Sequence, residues 1–274
     1  MPLPRSAHRS GKAAELSTRF LRALVRPPGE TYAAGLTSAT AGAPNLAKAL
    51  DQHRRYVAAL SSCGLEVTAL PADPRFPDST FIEDTAVLTP AVAIVTRPGA
   101  LSRRGETESI AAELGQRFGS VRSIESPGTL DGGDVCETDG RFYIGLSSRT
   151  NADGARQLAA ILAEHGYTAT IIDIRSSPVL LHLKTGIAYL GDGRLALLSG
   201  LAELADFSGF ECLEVGLAEG YAANCVRIND RVLVAAGNPR FTERLAALGL
   251  KPLSLEMSEF RKMDGGLSCL SLRF

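Results

Sequence analysis

The chain has 274 residues, of which 45% are hydrophobic and 22% charged, with a formal net charge of −1. That composition is ordinary for a globular protein and excludes a disordered or collagen-like chain. Near-neutral charge removes the field that would gather nucleic acid or an acidic lipid surface, and no apolar run approaches the roughly 18 residues of a membrane helix.

The N-terminus, residues 1–17, has no hydrophobic h-region and reads as a polar extension rather than a secretory signal; residues 18–274 read as a single domain. From there one pattern returns: a short apolar strand, a loop of Gly, Pro, Ser and Arg, an amphipathic helix, a Gly stop and a second strand. The first copy runs from "FLRALV" through a helix opened at Asn45 and closed at Gly64 to "LEVTAL". "VAIVT" leads to "RPGALSRRGE", a helix near Thr107–Phe118 and "VRSI"; "RFYIG" leads to "LSSRTN", a helix near Ala152–His165 stopped by Gly166, and "TATIID". A blurrier copy spans "RLALLSG" to "EVG", and the last takes "RVLVAA" through "GNPR" and a helix near Pro239–Leu248, stopped by Gly249, to "KPLSLE". Asn45, Asn151 and Asn238 stand at N-cap positions, Pro239 at the first helical position, and Gly64, Gly166 and Gly249 where a left-handed C-cap is wanted. Five strand–helix–strand copies imply a repeat architecture closed into a ring. An open doubly wound sheet is the weaker reading, since no Gly-rich phosphate loop follows a strand.

Each copy then enters a short distinctive motif: "PDSTFIEDT", "GTLDGGDV", "LLHLKTG", "YAANCV" and "KMDGGLSC". One marker from each, Asp84, Asp131, His182, Cys225 and Cys269, gives intervals of 47, 51, 43 and 44 residues. Equivalent positions in a ring of similar units converge on its axis, which gathers carboxylates, an imidazole and a thiol in one channel. A thiolate attacks and an imidazole can carry the proton, so Cys269 and His182 are the candidate nucleophilic pair.

The remaining His and Cys residues have structural readings. His53 falls on the apolar stripe of Leu46, Leu50, Val57 and Leu60, so it is expected in packing; His165 precedes a helix-ending glycine and His8 lies in the extension. Cys225 has apolar neighbours and reads as a buried thiol, as do Cys63 and Cys136; nothing singles out Cys212. Five cysteines without a C-x-x-C pair fit a reducing cytoplasm better than disulfides or structural zinc.

Asp78, Glu83, Asp84, Asp131 and Asp134 would repel one another around a channel unless a cation lies between them. A metal is disfavoured because one His lies near and no i,i+3 or i,i+4 ligand pair appears; a guanidinium, flat and always charged, suits paired carboxylates. Arg103 and Arg149 stand at matching places after the first strands of neighbouring units and suggest a clamp for a carboxylate. A ligand with a guanidinium at one end and a carboxylate at the other is arginine-like.

The ordered motifs "FPDSTFIEDT", "TRPGALSRRGE", "GTLDGGDV", "IGLSSRTN", "LHLKTG", "YAANC" and "KMDGGLSCLSL" resemble the dimethylarginine dimethylaminohydrolase family of the guanidine-modifying superfamily, over nearly everything after Leu21. The resemblance implies an α/β fold, a five-bladed propeller of ββαβ units around a central channel. It implies hydrolysis of methylated arginine to citrulline, with Cys269 as nucleophile, His182 as general acid and base, and Asp131 supporting the pair. Some bacterial relatives carry Glu in the Asp131 slot. Substrate contacts are implied for Asp78, Glu83, Asp84 and Asp264, a carboxylate clamp for Arg103 and Arg149, and backbone contacts for Leu36 and Met263. Leu36 lies in "GETYAAGLTSATAGAPN", whose small residues suit a lid. No cofactor is implied, a small molecule is the expected partner, and internal strand edges could support a homodimer. Rivals are arginine deiminase, whose members usually carry a helical insertion not visible here, an amidinotransferase, a cysteine peptidase, for which no oxyanion-hole motif appears, and a catalytically idle binding propeller.

Overall fold

The computed structural model describes residues 19–274; the expected extension at 1–17, with His8, lies outside them. Among the described residues, fifteen strands form five three-stranded sheets, each with one antiparallel and one parallel pairing. β3 (Ala86–Leu88) pairs antiparallel with β4 (Ala93–Val95), and the chain crosses through α2 (Thr107–Gly115) to β5 (Val121–Ser123), parallel to β4. The next blade repeats this with β6 (Val135–Thr138), β7 (Arg141–Leu146), α3 (Ala152–Glu164) and β8 (Thr168–Asp173). Then follow β9 (Ile187–Gly191), β10 (Arg194–Leu198) and β11 (Glu211–Val215), and after them β12 (Val226–Ile228), β13 (Arg231–Ala235), α4 (Pro239–Ala247) and β14 (Lys251–Leu255).

The remaining blade joins the two ends of the chain. β1 (Arg22–Val25) crosses through α1 (Leu46–Ser62) to β2 (Glu66–Ala69), while its antiparallel partner is β15 (Leu272–Arg273). Leu21 and Arg22 N–H groups donate to Phe274 O, and Phe274 N–H returns a bond to Arg22 O. The packed, apolar C-terminus is therefore the first strand of a blade whose other strands begin the described chain, and the ring closes by hydrogen bonds.

Middle strands are buried on both faces, as their unbroken apolar runs require, whereas β5, β8, β11 and β14 carry exposed residues at the periphery. Core clusters form between adjacent blades: Val226, Leu233 and Ala235 of one blade pack with Ala49, Tyr56 and Leu60 of α1 in the next. His53 is buried in α1 with Nε2 unpartnered, and burial lowers its pKa to about 4; it is a packing residue, as its stripe predicts. Cys63, Cys136 and Cys225 are buried in three of these clusters.

The helix punctuation is largely as expected, with three differences. Asn45 Oδ1 accepts from Lys48 N (2.9 Å) and Asn151 Oδ1 from Gly154 N (2.8 Å), and Gly64, Gly166 and Gly249 all have positive φ. Asn238 turns its amide back to Ala235 O, and the first turn of α4 is capped instead by Glu219 of the preceding loop, which accepts from Arg240 N and Phe241 N. A carboxylate there also meets the helix dipole better than a neutral amide. α2 begins at Thr107 as expected but ends at Gly115, short of Phe118, and Arg117 N and Phe118 N both donate to Leu114 O in a closing turn. Between β10 and β11 the expected helix is absent, and one 3-10 turn, Leu201–Glu203, makes the crossing.

Candidate active site

The five sequence markers lie just ahead of the first strand of each blade. Asp84 belongs to the 3-10 turn Ile82–Thr85, Asp131 precedes the turn Gly132–Asp134, and His182 caps Leu183–Thr185. Cys225 follows the turn Leu217–Ala223, and Cys269 lies in Ser268–Leu270. The turns form a cycle linked by side chains. Asp84 Oδ1 accepts from Gly133 N (2.9 Å), Asp134 Oδ1 from Leu183 N (3.0 Å), and Asn224 Nδ2 donates to Lys184 O (2.7 Å). Asn224 Oδ1 then accepts from Ser268 N (3.0 Å), and Ser268 Oγ donates to Glu83 Oε2 (2.7 Å), which returns to the first turn. Gly133 is required by this closeness: a Cβ there would lie 2.7 Å from His182 Nδ1 and 2.8 Å from Asp84 Oδ1.

The cycle surrounds a chamber of about 30 Å³ lined by Cys269, His182, Asp84, Asp78, Phe81 and Arg103, with Leu36, Met263, Asp264 and Gly265 above. Leu36, Arg149, Leu181 and Asp264 also line an outer vestibule of about 260 Å³, so the site is elongated, acidic within and bearing an arginine outside. The segment expected to form a lid is tied down by Asp78 and Asp264. Leu36 N donates to Asp78 (3.0 Å), and Asp264 Oδ2 accepts from Ser38 N (2.6 Å), Ser38 Oγ (3.0 Å) and Thr37 Oγ1 (3.3 Å). Asp264 itself has φ 58°, a left-handed conformation that a non-glycine residue adopts at a cost.

His182 Nε2 is held by Asp131 Oδ2 at 3.1 Å, and Nδ1 lies 4.0 Å from Asp84 Oδ1. Burial alone would lower the imidazole pKa; the carboxylates of Asp84, Asp134 and Asp131 outweigh it and raise it to about 9. Asp131 is fully buried and off the chamber wall; its other oxygen accepts from Gly99 N (2.9 Å). Cys269 is half-buried, with Sγ 3.4 Å from Gly266 N. Burial, with the negative charges of Glu83 and Asp84, pushes its thiol up to about 12. Cys269 and His182 both line the chamber.

Two expected substrate contacts have other partners. Glu83 is absent from the chamber wall: Oε1 pairs with Lys184 Nζ (2.7 Å) and Arg273 Nη2 (3.3 Å), and Oε2 takes Ser268 Oγ. A buried carboxylate needs this many donors, and Glu83 thereby ties the Cys269 turn to the His182 turn. Arg103 reaches the chamber but its fork is filled: Nη1 pairs with Asp84 Oδ2 (2.5 Å), and Nε and Nη2 with Glu106 (3.0 and 2.8 Å). A buried guanidinium must be paired in this way. Among the described residues, the half-buried Arg149 guanidinium has no protein partner, which leaves it open to an incoming anion.

Asp84, Asp131 and His182 offer ligand atoms within 4.8 Å of one another, yet their oxygens already serve Arg103, Gly133, Gly99 and His182. A metal would have to displace those bonds, whereas a guanidinium already lies on Asp84 in the form of Arg103. Ser268, Asn224, Lys184 and Arg273 support the turn that carries Cys269 and are not among the expected site residues. Their signal was adjacency alone: Asn224 and Ser268 each stand one residue before a marker cysteine.

A ring of five blades, each an antiparallel pair extended by a parallel third strand, with thiol, imidazole and acids on its axial turns, defines the class, an α/β propeller. Comparison with known proteins narrows it. The chain is 47% identical over 257 residues, 93% of its length, to the whole of the N(G),N(G)-dimethylarginine dimethylaminohydrolase of Pseudomonas aeruginosa, and 37% identical over 254 residues to that of Streptomyces coelicolor, of which it covers 96%. It superposes on the Pseudomonas aeruginosa enzyme, solved as a cysteine-to-serine variant complexed with citrulline, with a TM-score of 0.91, 45% identity and coverage of 93% of this chain and 100% of that one. The N-terminal domain of the arginine dihydrolase ArgZ matches at TM-score 0.81 but only 18% identity, over 92% of this chain and 97% of that one, and shares the fold. No family model matches the chain. The chain belongs to the dimethylarginine dimethylaminohydrolase family. Among the described residues, no helix is long and apolar enough to cross a membrane.

Proposed function

We propose that this protein hydrolyses Nω-methylated arginines, releasing citrulline and methylamine or dimethylamine, with Cys269 as nucleophile and His182 as general acid and base. The observation that carries the reading is the chamber itself, where Cys269 and His182 share a wall with Asp84, a carboxylate already shaped to hold a guanidinium. The relatives with that activity in their names, matched along their full length, support it.

The substrate guanidinium enters beside Asp84 and Asp78, and its carboxylate meets Arg149 at the neck. Arg103 adds a second contact only by releasing part of its hold on Asp84 or Glu106. The incoming cation offsets the charges of Glu83 and Asp84 that disfavour the thiolate, so ionisation of Cys269 accompanies binding. The sulfur forms a bond to the guanidinium carbon, and the C=N π electrons move to nitrogen. His182 gives its proton to the methylated nitrogen, the C–N bond breaks and the amine departs, leaving an S-alkylthiouronium. Water then loses a proton to His182 and adds to the same carbon; the C–S bond breaks, yielding citrulline and regenerating the cysteine. Asp131 holds the imidazole through Nε2 in both half-reactions.

Incubation with asymmetric dimethylarginine, monomethylarginine and arginine separately, following citrulline and the released amine, tests the reading. Citrulline from the methylated substrates, with methylamines as co-product, is expected. Citrulline and ammonia from arginine alone would favour a deiminase, and no product from any of the three would favour an idle binding propeller.

A further inference from the structure

We infer that Asp134 is a positioning residue of this same site, setting His182, Asp131 and the Arg149 turn in one geometry. The inference rests on the proposed activity but is carried by contacts that activity does not use. Asp134 is fully buried and never reaches the chamber. Its carboxylate nevertheless accepts three hydrogen bonds, each from a different part of the active-site frame. Oδ1 takes Leu183 N (3.0 Å), the first N–H of the turn that His182 caps. Oδ2 takes Thr150 Oγ1 (2.7 Å), which itself accepts from Asp131 N (3.1 Å), the partner of His182. Oδ2 also takes Ser147 Oγ (2.6 Å), which accepts from the N–H groups of Arg149 (3.0 Å) and Thr150 (3.2 Å). One carboxylate thus sets the position of the acid–base residue, its anchoring acid and the free arginine. Gly145 leaves it room, since a Cβ there would approach Asp134 Oδ1 to 3.2 Å.

Its charge matters as well as its bonds. His182 faces Asp84 and Asp134, contacts Asp131, shares a wall with the Cys269 thiol, and has Arg103 on that wall, while Lys184 of its own turn is neutralised by Glu83. Asp134 is one of three anions that hold the imidazole in the protonated form needed to expel an amine.

Asp134→Asn keeps an acceptor for Leu183 N but removes the charge and replaces the acceptor of the Ser147 and Thr150 hydroxyls by an amide donor. Thr150→Val is isosteric, leaves the charge, and removes the hydroxyl that joins Asp134 to Asp131 N. Both are compared with wild type in kcat and KM across pH, and by NMR titration of the His182 ring assigned against His182→Gly. For Asp134→Asn, a fall in kcat with little change in KM is expected. The high-pH limb of kcat and the His182 midpoint should both move down by about one unit. For Thr150→Val, kcat falls by up to about 10²-fold, the cost of an angstrom-scale misplacement. Coincident His182 midpoints in wild type and Asp134→Asn, or a rise in KM at constant kcat, overturn the inference. If Asp134→Asn fails to fold, wild-type kcat in Thr150→Val overturns it. If wild type forms no citrulline, the activity reading fails, and the NMR midpoints still decide the role of Asp134.

Discussion

Cys225 and Cys269 occupy equivalent slots in neighbouring blades, and their fates differ. Cys225 runs directly into β12 and is buried with Val232, Val234 and Phe241. Burial alone is the chief cause that pushes its thiol up to about 12. Cys269 rises to the same value partly through the charges of Glu83 and Asp84, and that part is reversible, because a cation in the chamber cancels it. The blade that buries its thiol contributes Asn224 instead, whose amide bonds Ser268 N, Ser268 Oγ and Lys184 O. A Cβ on Gly266 would lie 2.3 Å from Asn224 Oδ1, so the glycine ahead of Cys269 lets this support approach. In the proposed reaction one slot supplies the nucleophile, and the adjacent slot supports the turn that carries it. Arg103 and Arg149 repeat the lesson: at matching places in two blades, one guanidinium is consumed by structure, while the other lines the chamber and vestibule without a protein partner among the described residues.

The sharpest test of the contrast is the pair of cysteine substitutions. Cys269→Ser is expected to lower kcat by more than about 10³-fold with the fold intact. Cys225→Ser should keep kcat and lose about 1–3 kcal/mol of stability, from a hydroxyl buried in an apolar cluster; comparable turnover in the two variants would break the distinction. The arginines should separate by type of defect. Arg103→Ala strands Asp84 and Glu106 in the interior and should cost about 3–5 kcal/mol in denaturant unfolding. Arg149→Ala should leave stability unchanged and raise KM by about 10–100-fold, the loss of one charge-assisted contact of about 1.5–3 kcal/mol. Unchanged KM would remove Arg149 from the carboxylate.

A smaller effect reads the Cys269 thiol directly. Because the Cys269 pKa lies near 12 in the free protein, the thiolate fraction at neutral pH is low. Alkylation by iodoacetamide should therefore climb about tenfold per pH unit from 7 to 9 without a plateau. A plateau near pH 8.5 would mark an ordinary exposed thiol. High pH acts oppositely on the acid: the His182 pKa is raised to about 9, so the imidazolium persists below that value and is lost above it. Amine release should accordingly fall as pH passes 9.

Much of this was legible before any coordinates. Strand–helix–strand spacing, asparagine and glycine punctuation and five motifs 43–51 residues apart set the number of blades and the chemical types that meet on the axis, because equal units around a ring must bring equal positions together. What the sequence could not express is direction. Whether a marker side chain points into the chamber or into a core depends on the turn of the next blade, more than 40 residues away in sequence, and the contacts that decide it run from blade to blade: Asp84 to Gly133, Asp134 to Leu183, Asn224 to Ser268, Ser268 to Glu83. The absent helix between β10 and β11, the carboxylate cap on α4, the occupied fork of Arg103 and the withdrawal of Glu83 from the chamber all belong to that second kind. The withdrawal of Glu83 is settled by donors that other blades supply, Lys184 from one and Ser268 and Arg273 from another, whereas the Arg103 fork and the α4 cap are filled from within a blade, by Asp84 and Glu106 and by Glu219. A buried charge or an open helix end takes the partner that only the folded chain places beside it.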